Sequence, residues 1–302
     1  MSYAAITTRP RGLALPVLLL AGLLTLVGTQ TGVIRLPSFD AASVAGPSTV
    51  LIAPRSFDYR ASGDFVRGTA SIDGPLVRVD HPAALEMMKY QVSAADYAAC
   101  VADDGACEKA EPRRRGTGDV PVTGVSYNDA TDYAAWLSGQ TGETWRLPTV
   151  EEWAFAAGSK AVDHALGVET DASDPAQRWL LAYERESELS MDGPAKPESI
   201  GRFGANEFGV ADLSAVIWEW TSTCASRTTV DAAGQTLSHI ESCGVRYLEG
   251  RHRTPMSTFV RDAIGGGCSV GVPPDNLGFR LVRDADWRER ALSTVASWLH
   301  TT

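Results

Sequence analysis

The residues best suited to carry out chemistry are the five cysteines of the chain. Cys100 and Cys107 are separated by a short acidic, glycine-containing stretch, and Cys224 and Cys243 by a turn-rich segment. In an oxidising compartment, local pairs of this kind form disulfides. Proximity therefore predicts the bridges Cys100–Cys107 and Cys224–Cys243, although spacing alone does not fix the connectivity. Cys268 is then left as a free thiol.

Cys268 has two interpretations. As a free thiol it could ligate a metal or form a mixed disulfide with another protein. Alternatively, it is a small buried apolar residue among glycines, as free cysteines usually are. No histidine or lysine stands near it in the sequence to activate the thiol.

Other catalytic patterns are missing from the sequence. The five histidines share no helical spacing, which argues against a histidine-rich iron site. Gly265–Gly267 is not followed by Lys-Ser or Lys-Thr, so it does not predict a phosphate-binding loop.

The charge of the chain argues against a nucleic-acid partner. The net charge is −10 and the pI is near 5.0, whereas a protein that binds a duplex needs a basic face. The basic cluster Arg113–Arg115 lies between Pro112 and Gly116. This setting is more typical of a solvated turn than of a phosphate site.

Residues 1–34 predict an export segment. Arg9 and Arg11 precede an apolar run over residues 12–28, with a weakly polar continuation to Ile34. Positive charge before such a run stays in the cytoplasm, and the full run approaches the ~20 residues that span a bilayer. No A-x-A cleavage signature follows, so we favour an uncleaved inner-membrane anchor over a cleaved signal peptide. Either one places the body outside the cytoplasm, in the periplasm, after a linker at residues 35–56.

Two helices are predicted in the first half of the body. Ser93 caps a helix that runs toward Cys100. Apolar residues at helical spacing predict a second helix from about Asn128, which Gly139 or Gly142 can end.

The third predicted helix is the best specified, because Thr149 and Glu152 form a capping box. Beyond Gly158 the regular pattern fades until about residue 218, which predicts irregular structure. Residues 284–302 predict an amphipathic helix with Trp287 and Trp298 on its apolar stripe.

Four motifs occur in an order that resembles one known family. They are MMKYQVSAADYAACV at residues 87–101, RLPTVEEW at 146–153, WEWT at 218–221, and GGGC followed by NLGFRLV within 265–282. Together they are similar to the formylglycine-generating-enzyme, or sulfatase-modifying factor, family over about residues 57–283. The resemblance implies an α+β fold related to C-type lectins, with few strands and much irregular structure.

The family's best-known chemistry needs two cysteines that bind copper(I), since thiolates and copper(I) are both soft. This chain has the flanking motifs Gly265–Gly267 and Asn276–Arg280, but Cys268 is the single cysteine between them. We therefore predict that it does not form formylglycine by the two-thiolate mechanism. By resemblance, Cys268 lies beside a substrate cleft formed by Gly267, Asn276 and Arg280.

The family also implies a calcium site around the tryptophan block. By position, Asp212 and Glu219 supply carboxylates, and Ala215 and Ile217 supply backbone carbonyls, which are the hard oxygen ligands that calcium prefers. The chain departs from the usual Gly-Asn before this block, where it has Ala215 and Val216.

Within the family, the pattern looks most similar to the nitrite-reductase accessory proteins of denitrifying bacteria. This predicts an accessory or maturation role for another exported enzyme. Two alternatives stay open: a metal-dependent oxidoreductase that acts through Cys268, and a non-catalytic, lectin-like binding module.

Overall fold

A computed structural model describes residues 46–103, 105–116, 119–163, 165, 180, 183–184, 196–263 and 276–284. Within these ranges the chain forms three α-helices and twelve strands. The helices are α1 (Ala94–Ala102), α2 (Tyr127–Thr141) and α3 (Val150–Ala157), and a 3₁₀ turn at Gly158–Lys160 follows α3. The strands are β1 (Thr49–Ile52), β2 (Arg55–Arg60), β3 (Asp64–Arg67), β4 (Ala70–Ile72), β5 (Leu76–His81), β6 (Leu85–Met88), β7 (Thr144–Arg146), β8 (Trp218–Val230), β9 (Thr236–Glu249), β10 (Thr254–Ser257), β11 (Leu277–Gly278) and β12 (Val282–Asp284).

Helix α3 begins where its capping residues predict it, and α2 begins one residue before the predicted Asn128. Ser126 and Asp129 form a capping box at α2, and Thr149 and Glu152 form the predicted one at α3. In each box the side chains satisfy amide groups that the first helical turn would otherwise leave without partners. α2 ends at Gly142, whose φ of 72° is the left-handed conformation that glycine adopts easily. These three helix boundaries confirm the sequence prediction.

Helix α1 is also confirmed. The hydroxyl of Ser93 accepts the amide N–H of Asp96 at 2.9 Å, which caps the first turn. Tyr97 and Cys100 are its buried residues, and Cys100 forms a disulfide with Cys107 just beyond the helix. The bridge fixes the chain that leaves α1 against the helix itself.

The described strands form three sheets. One has four strands in the order β1-β6-β12-β7, and another has the order β10-β9-β8-β3-β4, with β11 paired to β8. β2 and β5 form a two-stranded sheet. β8 is antiparallel to β9 but parallel to both β3 and β11. The parallel pairing with β11 brings the WEWT motif beside the NLGFR motif.

Two apolar clusters form the core. One packs α1 and α2 against β8 and β11, and contains Tyr97, Tyr133, Trp220 and Phe279. The other packs α3 against β6 and β12, and contains Met87 and Trp153. The tryptophans of the sequence motifs therefore contribute large buried rings to both clusters.

Two sequence predictions, one domain boundary and one segment's secondary structure, need correction. The predicted linker at residues 35–56 overlaps the domain, because β1 pairs with β6 from Thr49 to Ile52 and β2 begins at Arg55. The segment between Cys224 and Cys243, predicted to be turn-rich, is instead a long antiparallel hairpin of β8 and β9. Its turn is short and uses Gly234 with φ 81°. The fold is mixed α+β, with more strands than the sequence predicts.

Several predicted features lie outside the described residues: the anchor at residues 1–34, Gly267, Cys268, and the amphipathic helix beyond Asp284. Across the ranges that are described, no helix combines the length and apolar character needed to cross a membrane.

Candidate functional site

Glu219 and Arg280, which come from two of the sequence motifs, form an ion pair at the centre of the domain. The pairing of β8 with β11 places Glu219 opposite Gly278, so the arginine two residues later can reach the carboxylate. Nε of Arg280 donates to Oε2 of Glu219 at 2.6 Å, and Nη2 donates to Oε1 at 2.6 Å. The side chains of Arg280 and Glu219 are 0% and 1% exposed.

Neighbouring groups satisfy the remaining hydrogen-bonding capacity of this pair. Nε2 of Gln91 and Nε1 of Trp153 donate to the two carboxylate oxygens of Glu219 at 2.8 and 2.9 Å. The guanidinium also donates to the carbonyl oxygens of Lys89 at 3.1 Å and Ala211 at 3.0 Å. A buried charge is tolerated only when it is paired and hydrogen-bonded in this way. The pair therefore joins β8, α3 and the chain after β6 to the carboxy-terminal strands.

Arg146 of the RLPT motif has a similar joining role nearer the surface. It donates to both carboxylate oxygens of Glu152 at 2.6 and 2.7 Å and to Asp284 at 2.8 Å. Burial is the largest single effect on Glu152 and would raise its pKa, but the hydrogen bonds and charge of Arg146, together with the Thr149 amide, lower the pKa on balance. The cluster connects β7, α3 and β12.

Two of the residues that resemblance placed at a substrate cleft are buried in the structure. Arg280 and Asn276 are buried, with 0% and 2% exposure. Nδ2 of Asn276 donates to the backbone carbonyl oxygen of Val216 at 2.9 Å. The backbone carbonyl oxygen of Asn276 accepts the N–H of Trp218 at 2.9 Å. These two side chains hold neighbouring segments of the chain together, and their role at a substrate cleft stays a prediction.

The four residues proposed as calcium ligands do not converge on one ion. Glu219 is occupied by Arg280, and the two oxygens of Asp212 accept the backbone N–H groups of Gly201 at 2.5 Å and Phe203 at 2.8 Å. Asp212, Ala215 and Ile217 border a small cavity, but Glu219 is not among the residues that line it. The carbonyl oxygen of Ala215 also accepts a hydrogen bond from Nε of Arg251 at 2.9 Å. The residues therefore do not fit a calcium ion.

We expect calcium removal to leave the stability of the protein unchanged. Thermal unfolding measured in about 1 mM calcium and in excess EGTA should give melting temperatures that agree within about 1 °C. A site with a Kd of about 10 μM would add about 2.7 kcal/mol at this concentration, which a melt resolves easily. A large calcium-dependent shift would contradict the geometry of Asp212 and Glu219.

Both predicted disulfides are present. Cys100 and Cys107 have Cα atoms 5.5 Å apart, and the Cα atoms of Cys224 and Cys243 are 4.5 Å apart. One cluster of potential metal ligands occurs in the described part of the chain, and it consists of Cys224, Cys243 and Glu241. Its two sulfurs belong to the disulfide, so they are not thiolates that could bind a metal.

An acidic cluster around Arg261 is the feature that sequence reasoning missed. The guanidinium donates to both oxygens of Asp129 at 2.6 and 2.7 Å and to Glu111 at 2.9 Å. Burial alone would raise the pKa of Asp129, but hydrogen bonds from Arg261 and Ser126 outweigh it and the pKa is lowered. An arginine just before a glycine run was the available signal, but nothing in the sequence named its partner in α2.

The Arg261 cluster borders an open cavity of about 590 Å³ that also contacts Glu108 and the exposed ring of Phe259. Arg261 and the buried Ala263 fix the chain immediately before the segment that carries Cys268, and Asn276 fixes it immediately after. The candidate functional site is therefore this cavity, whose described lining offers carboxylates and the paired Arg261.

The chain is similar to proteins of a known family. Residues 36–285 match the profile of the sulfatase-modifying factor enzyme 1-like domain. The formylglycine-generating enzyme of Mycobacterium tuberculosis is 37% identical over 192 residues, which cover 54% of this chain and 57% of that protein. The inactive C-alpha-formylglycine-generating enzyme 2 of Mus musculus is 29% identical over 175 residues, 55% of this chain and 50% of that protein. The chain thus spans about half the length of these curated relatives.

A solved structure shares the fold. PvdO from Pseudomonas aeruginosa superposes with a TM-score of 0.52 and 22% sequence identity, over 79% of this chain and 95% of PvdO. The profile match covers most of the chain and includes all four sequence motifs and the Glu219–Arg280 pair. This chain belongs to the family of the sulfatase-modifying factor enzyme 1-like domain.

Proposed function

We propose that this protein is an exported, membrane-tethered accessory protein that assists the maturation of another exported enzyme and does not generate formylglycine. The observation that carries the proposal is the state of its cysteines. Four of the five are joined in disulfides, so Cys268 is the single thiol that the chain can offer.

One thiolate cannot form the two-cysteine copper(I) site that the family's oxidation requires. Neither disulfide lies between Ala263 and Asn276, where that chemistry is expected, so neither provides the second thiolate by reduction. The family includes relatives named as enzymes and relatives named as inactive. A member without the reaction is therefore consistent with the family.

Two observations support the proposed location. Disulfides form and persist mainly outside the cytoplasm, and the two here close local loops of the described domain. The arginines before the apolar run at residues 12–28 are the arrangement that directs export. The proposed client is a periplasmic nitrite reductase, as the sequence pattern suggests.

We expect no conversion of a sulfatase-type peptide cysteine to formylglycine. The purified protein is incubated with the peptide, copper and oxygen, and mass spectrometry measures the loss of the thiol and the gain of an aldehyde. A known formylglycine-generating enzyme serves as the positive control. Aldehyde formation that depends on this protein and disappears in C268S would contradict the proposal.

The accessory role is tested in cells that produce both the protein and its proposed client. Deletion of the gene should lower nitrite-reductase activity in the periplasm without lowering the amount of the reductase polypeptide. Complementation with the wild-type gene should restore it. Unchanged reductase activity after deletion would exclude this client.

A further inference from the structure

A groove along α1 differs in charge from the rest of the protein. It has a volume of about 630 Å³, and its lining includes Tyr97, Ala98 and Val101. The lining residues of α1 extend from Ala94 to Ala102. At a rise of ~1.5 Å per residue, the groove therefore follows the helix for about 12 Å.

Lys109 and Arg115 line this groove together with Arg114, and the described lining contains no Asp or Glu. The protein as a whole carries a net charge of −10. The charged residues of the described groove lining are all cations, so the groove has the opposite sign of charge. Such a groove attracts a carboxylate and repels a cation.

A buried hydroxyl also lines the groove. Thr123 is 5% exposed and is one of the residues that line the groove. A hydroxyl can both donate and accept, so it can exchange a hydrogen bond with a ligand in the groove.

The walls of the groove are held in place before any ligand arrives. The Cys100–Cys107 disulfide ties the chain leading to Lys109 to the end of α1, and the hydroxyl of Tyr97 donates to the carbonyl oxygen of Glu108 at 2.8 Å. The amide of Glu111 donates to the carbonyl oxygen of Gly124 at 2.8 Å. A preformed site loses less conformational entropy on binding.

We propose that this groove binds an extended acidic and apolar peptide segment of a partner protein. In an extended chain alternate side chains point to opposite sides, so apolar residues can face the alanine ridge of α1 while carboxylates face Lys109 and Arg115. A length of about 12 Å accommodates about four extended residues. The elongated shape favours a peptide over a compact small molecule.

The inference rests on the proposed accessory role only in assigning the peptide to a client. The test measures fluorescence anisotropy of a fluorescein-labelled hexapeptide that alternates leucine with glutamate, titrated with the full-length protein. The leucine–lysine counterpart is titrated in parallel. We expect saturable binding of the glutamate peptide, weakened by added salt, and no binding of the lysine peptide.

Matched variants test whether the peptide binds at this groove. K109E and R115E should each raise the Kd of the glutamate peptide at least about fivefold, because each reverses a charge at the groove. R113E is the control, since Arg113 lies in the same loop and changes the net charge equally but pairs with Asp262 instead of lining the groove. It should leave the Kd within about twofold. T123V, which removes the hydroxyl and keeps the shape, should weaken binding to a smaller extent.

Several results would overturn the proposal: no saturable binding of the glutamate peptide, equal binding of the lysine peptide, or equal effects of R113E and R115E. Binding of octanoate without binding of the peptide would replace the peptide with a small amphiphile. Self-association that R115E abolishes, without peptide binding, would replace it with a second copy of the chain. Thermal melts check that each variant folds. Because the binding assay contains no client enzyme, a negative result in it does not contradict the accessory role. A negative result in the gene deletion test likewise does not contradict peptide binding at the groove.

Discussion

Replacement of Arg280 by methionine should destabilise the domain by about 3–5 kcal/mol, the cost of leaving one member of a buried ion pair alone. The variant R280M keeps the carboxylate of Glu219 in the core with Gln91 and Trp153 as its remaining donors. It also removes the donors to the carbonyl oxygens of Lys89 and Ala211. For a domain of this size the melting temperature should fall by roughly 6–20 °C, which circular dichroism or calorimetry would measure.

Two further variants separate the ion pair from general damage. R78M removes an exposed arginine that pairs with Asp58, and it should cost less than about 1 kcal/mol. The double variant E219L/R280M removes both buried charges and should be more stable than R280M alone, because no unpaired charge remains. Recovery is partial, since the carbonyl oxygens still lack the arginine. An R280M protein with the stability of R78M would contradict this account of the core.

Substitution of Gly124 by alanine should be almost as damaging, for a different reason. Its φ is 73°, and a Cβ there would lie 2.2 Å from the carbonyl carbon and oxygen of Glu111 and 2.5 Å from the amide nitrogen of Pro112. These atoms are backbone, so the crossing segment must move. We expect G124A to cost about 3 kcal/mol or more, from strain together with repacking. Because the displaced segment leads to Arg114 and Arg115, peptide binding at the α1 groove should weaken as well.

Gly105 provides the matched control for this prediction. Its φ of 77° is nearly the same, but a Cβ at Gly105 meets nothing within 4 Å. G105A should therefore show only the left-handed backbone cost of about 1–2 kcal/mol. The difference between the two melting temperatures measures the overlap with Glu111. Equal effects of G124A and G105A would show that the loop at Glu111 yields easily.

The local features of this fold could be predicted from the sequence, because each depends on residues close together in the chain. The capping box of Thr149 and Glu152, the cap at Ser93 and the glycine end of α2 act within a few residues. Disulfides between near neighbours belong to the same class. Family resemblance supplied the α+β class, which local patterns alone did not.

The site could be predicted only in part, because its contacts join distant segments. Glu219 has the position of a calcium ligand, and only the pairing of β8 with β11 reveals that Arg280 occupies it. Arg261 and Asp129 are 132 positions apart, and neither stands out alone. The β8–β9 hairpin was missed because its strands carry polar, exposed residues near the turn, which resemble a loop in the sequence.

The order of strands in the four-stranded sheet has a consequence for how the chain folds. β12 is an inner strand that separates β6 from β7, and the Arg283–Glu86 contact joins residues 197 positions apart. Until residues 282–284 leave the ribosome, β6 and β7 have no partner between them and expose unpaired backbone groups. Pairing over such a distance requires the closure of a very long loop, which slows folding. The nascent domain must therefore stay open, and vulnerable to aggregation, until nearly all of it has been made.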